Sequence, residues 1–137
     1  MTSKNKLLVF AKAPLPGQAK TRLSPPLTAE EAATMAEAFL LDTLEMVETI
    51  KLNAEIIIYY TPKAATDYFA HLRSGNRQIK PQQGRSLKMK ITNALRIEIG
   101  NNNQPLIIIG SDSPTLPPQY LEEALIKLSP YFAGRAN

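Results

Sequence analysis

Apolar residues follow two kinds of pattern along the chain. Leu7-Leu8-Val9-Phe10-Ala11, Glu55 to Tyr60 (Glu-Ile-Ile-Ile-Tyr-Tyr) and Leu106 to Ile109 (Leu-Ile-Ile-Ile) are short, nearly unbroken apolar runs. Such runs fit strands of a parallel sheet covered on both faces; a sheet with one wet face would alternate apolar and polar positions. Gln78 to Lys80 is expected as a short edge strand. The second pattern recurs every three or four residues. Ala36, Leu40, Leu44, Val47 and Ile50 form one helical face, opened by the capping box Thr28-Ala-Glu-Glu31. A second helix is expected to start at Thr61-Pro62, with Ala65, Phe69 and Leu72 inward and Ser74-Gly75 at its end. Leu87, Ile91, Ala94 and Leu95 mark a third, ended by Gly100. Pro117-Pro118 opens a fourth, with Leu121, Ala124, Leu125 and Leu128 inward.

Strands alternating with helices predict an α/β fold: three layers, α/β/α, around a mainly parallel sheet with right-handed crossovers. At 137 residues, with no repeat, low-complexity tract or linker, the chain reads as a single domain over residues 1-137. Asn101-Asn102-Asn103-Gln104 reads as a surface turn. No apolar run approaches the roughly 20 residues of a membrane span, so no membrane segment is expected. The N-terminus leads into only five apolar residues, Leu7 to Ala11, too few for a secretory signal, which predicts a cytoplasmic protein. With no Cys and a single His, His71, the composition excludes disulfides, Cys-ligated clusters, a cysteine nucleophile and a His-rich metal centre.

Charge sharpens the picture by its distribution more than by its sum of +4. Met1 to Ala29 carries five bases and no acid, and Tyr68 to Ile97 carries seven bases and no acid. Between them, Glu30 to Glu48 carries six acids and no base. Two basic segments either side of an acidic helix can build a pocket for an anion such as a phosphate; ordinary clustering of surface charge accounts for the pattern equally well. Nucleic acid is a weaker reading, because no helix-turn-helix, zinc-finger or RNA-binding signature is present and the Arg73 to Arg96 segment is poor in aromatics.

Seven of the eleven prolines fall in two loops, after the first strand and after the Leu106 strand. Open α/β sheets bind ligands beyond the carboxyl ends of their strands, so both loops are candidates. The first reads Lys12-Ala-Pro-Leu-Pro-Gly-Gln-Ala-Lys-Thr-Arg-Leu23. At about 16 residues before the helix it exceeds the usual connection, which favours a binding loop. Gly17 allows close backbone approach, and Lys12, Lys20 and Arg22 are cations without a neighbouring acid. Arg22 can fork onto two phosphate oxygens while Lys20 supplies a point charge. It is not a P-loop: the glycine positions that motif requires hold Ala19 and Pro14. The second loop, Gly110-Ser-Asp-Ser-Pro-Thr115, places Asp112 just past a strand. A carboxylate there can hold Mg²⁺ or Mn²⁺ bridging nucleotide phosphates, or simply close a local turn. His71, the one imidazole, is expected as an exposed residue and not as a general base.

At these residues the sequence resembles a family of small bacterial glycosyltransferase-like proteins with the A-type, nucleotide-diphospho-sugar transferase fold, which includes glycosyltransferases of arsenosugar biosynthesis. More distantly it is similar to nucleotidyltransferases such as guanylyltransferases. Phe10 to Leu23 is similar to the family's F-A-K-x-P-x-P-G-x-x-K-T-R-L, and Ile109-Gly-Ser-Asp-Ser-Pro114 to its G-S-D-x-P. Phe39-Leu-Leu-Asp-Thr-Leu44 resembles a helix segment of the family. The resemblance covers about Leu7 to Leu128 and implies a Rossmann-like fold incomplete at its C-terminal end.

By the same resemblance Lys12, Gly17, Lys20, Thr21, Arg22 and Gly84 are nucleotide- or phosphate-binding residues, Asp112 is a metal residue, and Mg²⁺ or Mn²⁺ is the cofactor. The implied partner is a nucleotide-sugar or nucleoside triphosphate. The implied activity is glycosyl transfer, with nucleotidyl transfer or a nucleotide-binding module without turnover as alternatives. Two departures stand out. Where the family has Q-G-x-G-D-L-G-x-R-M, this chain has Gln82-Gln-Gly-Arg-Ser-Leu-Lys-Met89, which lacks the acid. The chain also ends at Asn137 without the family's later D-G-G-Y segment. The Leu106 strand, expected beside the Leu7 strand, would then leave an open apolar edge that Tyr131-Phe132 covers only in small part, which predicts either a homodimer through that edge or an unstable, aggregation-prone protein.

Overall fold

The computed structural model describes residues 5–17, 26–49, 54–73, 77–99 and 105–111. These contain β1 (Asn5–Lys12), α1 (Ala29–Glu48), β2 (Ala54–Thr61), a 3₁₀ turn (Lys63–Ala65), α2 (Thr66–Ala70), β3 (Arg77–Pro81), α3 (Leu87–Ile99) and β4 (Leu106–Gly110). All four strands are parallel, in the order β3-β2-β1-β4. The α/β sheet expected from the apolar runs is therefore present, with Gln78 to Lys80 on an edge strand. The open apolar edge expected at the Leu106 strand coincides with β4, which is the other edge among the described strands.

The unbroken runs become strands because both faces of the sheet are covered. On β1, Leu7 and Val9 point to one face and Leu8 to the other, and all three are completely buried. The first face packs Leu7, Val9, Ala11, Ile56, Ile58 and Tyr60 against Leu40, Leu44 and Val47 of α1 and Phe69 of α2. The second packs Leu8, Ile57 and Tyr59 against Ala94 of α3, with Phe10, Leu106 and Ile108 half-buried beside them. Two connections in one direction place α1 and α2 on one side; the return from β3 across to β4 places α3 on the other, as right-handed crossovers require.

The capping box forms as written in the sequence. The Glu31 amide donates to Thr28 Oγ1 at 3.0 Å and the Thr28 amide to Glu31 Oε1 at 2.9 Å. These bonds hold the Glu31 carboxyl below its ordinary value. At the far end α1 stops at Glu48 with Thr49 as C-cap, so the expected Ile50 lies outside the described residues.

The second helix departs from expectation. Thr61 is still paired with Lys12 of β1, and its carbonyl accepts from the Ala13 amide. Pro62, after a cis peptide bond, is extended at φ −74° and ψ 163°, and α2 proper begins only at Thr66. Pro62 therefore precedes the helical turns instead of opening them, because the sheet claims the residue before it. Phe69 is nevertheless buried as expected, stacked on Tyr60 with ring centroids 4.8 Å apart, and Ala65 and Leu72 pack beside it. The Tyr68 hydroxyl donates to Glu37 Oε2 at 2.7 Å, tying α2 to α1; burial, then the Glu37 carboxylate, pushes that phenol well above its ordinary value. Ser74, Gly75, Gly100 and the fourth helix expected from Pro117 lie outside the described residues.

Thr28→Ala removes one side of the capping box and should cost about 1 kcal/mol of stability. Denaturant unfolding of the two proteins checks this; a loss below a few tenths would mean that the start of α1 contributes little.

Candidate functional site

Three connections meet at the carboxyl rim of the sheet, each fixed by backbone pairing. β1 runs two residues further than β4: Phe10 pairs with Gly110, and the Ser111 amide donates to the Phe10 carbonyl at 3.0 Å. Lys12, the last residue of β1, is thus exposed two residues beyond the point where β4 ends. β1 leads to β2 through α1 on one face whereas β4 is reached through α3 on the other, so the crossovers reverse between these two neighbours, the position at which open α/β sheets form a ligand crevice. The chain after β1 continues through Ala13, which is buried, to Gly17, which is exposed at φ +80°.

The third connection follows β3. The Gln82 amide donates to the Tyr60 carbonyl at 2.8 Å. Its side-chain Nε2 donates to the Tyr59 carbonyl at 2.8 Å and, more weakly, to that of Ala11 at 3.4 Å. A carbonyl can only accept, so the amide group of Gln82 must face both strands. Gly84 follows at φ +134°, a conformation that side chains disfavour. A Cβ there would sit 2.8 Å from Met89 Cβ and 3.0 Å from the Lys90 amide nitrogen. Ser86 Oγ then accepts from the Met89 amide at the start of α3, and Asn93 Nδ2 donates back to the Gln83 carbonyl at 2.7 Å. Gly84 is needed so that the loop can lie against the first turn of α3.

Of the residues singled out from the sequence, Lys12, Gly17 and Gly84 are described, and all three lie on connections leaving the carboxyl rim. Lys20, Thr21, Arg22 and Asp112 lie outside the described residues. Among the described residues no three His, Asp or Glu side chains gather to hold a metal ion. His71 is exposed at the C-cap of α2.

One residue that periodicity missed organises the layer beneath the rim. Glu98 of α3 has only 3% of its side chain exposed. Lys6 of β1 donates to Oε1 at 3.2 Å, while Lys80 of β3 donates to Oε2 at 2.6 Å and the Tyr59 hydroxyl of β2 at 2.5 Å. Lys6 Nζ also reaches the Glu98 carbonyl at 2.8 Å. Burial alone would raise this carboxyl; the bonds from Lys80, Tyr59 and Lys6 outweigh it and hold it below its ordinary value. Burial, then the Glu98 carboxylate, drives the Tyr59 phenol well above its ordinary value. The apolar stripe expected on α3 is corrected accordingly. Ala94 is buried and Ile91 and Leu95 are half-buried, but Leu87 is 65% exposed, and the inward position four residues after Ala94 belongs to a carboxylate. A search for apolar residues alone cannot find Glu98; the signal present is an acid at inward helical spacing facing a lysine on each of two strands.

A family model described as "Uncharacterized protein conserved in bacteria (DUF2064)" matches residues 43–133. The chain belongs to this DUF2064 family. No curated protein matches it. Among solved structures, it is similar to a Desulfovibrio desulfuricans G20 protein provisionally named a nucleotide-diphospho-sugar transferase. The identity is 27% and the TM-score 0.82, over 93% of this chain and 55% of that one. CMP:2-keto-3-deoxy-manno-octonic acid synthetase, solved with CTP, shares the fold at 13% identity and TM-score 0.58, over 93% of this chain and 48% of that one. Rv0371c of Mycobacterium tuberculosis H37Rv shares it at 16% identity and TM-score 0.53, over 96% of this chain and 63% of that one. The DUF2064 chain thus has a nucleotide-diphospho-sugar transferase-like fold and spans about half the length of the first two structures.

Gly84→Ala combines an unfavourable φ with a contact that backbone must yield to, whereas Gly17→Ala meets nothing within 4 Å. The first should cost about 2–3 kcal/mol and the second about 1 kcal/mol. Thermal unfolding of both variants should preserve that order.

For Glu98 the sign follows from its lowered carboxyl. Its stabilisation is present in full above the ordinary value of 4.5 and is lost as pH falls through the lower folded value. Glu98→Gln should cost about 2–3 kcal/mol at neutral pH, less than a fully buried pair because Lys80 is 36% exposed. Its difference from the parent protein should shrink below pH 4.5. Equal stability of the two at pH 7 would remove Glu98 as an organising contact.

Proposed function

We propose that the carboxyl rim binds a nucleotide diphosphate and that the chain carries the donor-binding part of a transferase, with a nucleotide-sugar as the preferred donor. The observation that carries this reading is the β1–β4 reversal. The crossover out of β1 runs through α1 on one face and the crossover into β4 through α3 on the other, and by sequence the basic loop follows Lys12 and Gly-Ser-Asp follows the end of β4. The 27% identity and 0.82 TM-score with a protein provisionally named a nucleotide-diphospho-sugar transferase support the same reading. Nucleotidyl transfer is the second reading, favoured by the shared fold with the CTP-bound synthetase.

The chemistry follows from residue types. Lys12, Lys20 and Arg22 would neutralise the diphosphate, with Arg22 forking onto two oxygens and Gly17 keeping the backbone out of the way. The carboxylate of Asp112 is a hard oxygen donor suited to Mg²⁺ or Mn²⁺, which when bound would stabilise charge on the leaving diphosphate. Gly84 would shape the wall on the β3 side. Among the described residues no side chain is placed as a nucleophile, so this part of the chain would bind and orient the donor while the acceptor attacks directly.

A thermal-shift panel of nucleotide-sugars and nucleoside triphosphates, each with and without Mg²⁺ or Mn²⁺, tests the reading. A ligand at 100 times its dissociation constant should add about 2.7 kcal/mol. Stabilisation by nucleotide-sugars favours the first reading and by triphosphates alone the second; no shift with any nucleotide contradicts both. Arg22→Ala should weaken the best ligand more than tenfold, about 1.5–3 kcal/mol, whereas Arg73→Ala, exposed just after α2, should leave it unchanged. Titration calorimetry of both variants decides this, and equal affinities would deprive the loop of its role.

A further inference from the structure

Three threonines within helices donate to the carbonyl four residues back: Thr34 to Glu30, Thr43 to Phe39 and Thr92 to Lys88. Such a bond is ordinary, and Thr34 and Thr92, which make it, are both exposed. Thr43 differs in two ways. It is completely buried, and its Oγ1 lies 3.1 Å from the Ser111 carbonyl as well as 2.7 Å from that of Phe39. One hydroxyl proton is therefore shared between α1 and a residue 68 positions away. That residue is the first after β4, and its amide is already held by the Phe10 carbonyl at 3.0 Å. Both backbone groups of Ser111 are thus fixed, one by β1 and one by α1. The first residue after β4 is therefore held by the inner face of a helix as well as by the neighbouring strand.

We propose that Thr43 is a positioning residue of the nucleotide site: its hydroxyl fixes the Ser111 carbonyl and so the exit of the chain from β4 at the rim. This rests on the nucleotide-binding reading above. Burial makes the hydroxyl specific. No water reaches it to replace the contact, and an apolar residue of the same shape would leave the Ser111 carbonyl without this donor.

The test uses Thr43→Val, which keeps the shape, and Thr43→Ser, which keeps the hydroxyl. Two readouts are taken on the whole chain: exchange of the Ser111 amide against that of Val9 in the core, and affinity for inorganic pyrophosphate with Mg²⁺. In Thr43→Val the Ser111 amide should exchange about tenfold faster while Val9 keeps its protection, and the dissociation constant should rise about tenfold. Thr43→Ser should restore both. Unchanged exchange and affinity in Thr43→Val would overturn the proposal. So would equal acceleration at Ser111 and Val9, which marks loss of general stability. If Ser111 responds but the parent protein binds neither the probe nor any nucleotide, the nucleotide reading fails and with it the role in a site; the contact then sets only the path of the chain.

Discussion

β1 is held by parallel partners on both edges and covered on both faces, and most of the architecture follows from that constraint. A strand with Leu7, Leu8 and Val9 completely buried cannot meet water on either side. Its neighbours are parallel, so each must be reached by a crossover, and helices must lie on both faces. β2 is taken on one side and β4 on the other. The crossover out of β1 and the crossover into β4 then lie on opposite faces, so the reversal between these neighbours is a product of packing. The proposed site lies where the crossovers reverse, beside the strand that has no free edge.

The two helical layers solve the burial problem differently. Under α1 and α2 the core is aliphatic and aromatic, with Leu40, Leu44, Val47 and Phe69 on the helices. Under α3 the fully buried apolar set is small, and Glu98 joins β1, β2 and β3 through Lys6, Tyr59 and Lys80. A carboxylate with three donors is directional in a way that aliphatic packing is not, since a shift of α3 along the sheet would break several bonds together. That fixes where α3 starts, and with it the Gln82 to Ser86 connection at the rim. Gln82 performs a similar task from the sheet side, reaching across the end of β2 toward β1.

Much of this was legible in the chain. The three apolar runs, the short edge strand and the capping box at Thr28 each depend on neighbours in sequence or on burial of a whole segment, and those signals survive folding. The failures have physical causes. Pro62 was expected to open a helix by its own preference, but pairing of Thr61 with Lys12 extends the strand to the residue before it. Leu87 was expected inward by spacing, yet it lies in the first turn of α3, at the exposed end of the helix. Glu98 and Thr43 stand at inward helical spacing, but they are polar, and the contacts that tie them to other elements are distant in sequence, so a reading by apolar periodicity passes over them. At the candidate site, Lys12, Gly17 and Gly84 lie at or just past strand ends on the carboxyl rim, and their binding roles rest on motif and charge. So do the roles of Lys20, Thr21, Arg22 and Asp112.

The proposed nucleotide diphosphate site lies at the carboxyl rim beside β1 and β4. Backbone NMR on labelled protein, titrated with Mg²⁺ and the nucleotide that stabilises it most, locates binding residue by residue. The account predicts shifts at Lys12, Gly17, Gln82 to Gly84 and Ser111, with Asn5, Ala54 and Leu106 at the opposite end of the sheet unmoved. Shifts spread over Arg73, Arg77 and Arg96 and abolished by moderate salt, with the rim silent, would contradict it and mark a diffuse anion-binding surface instead.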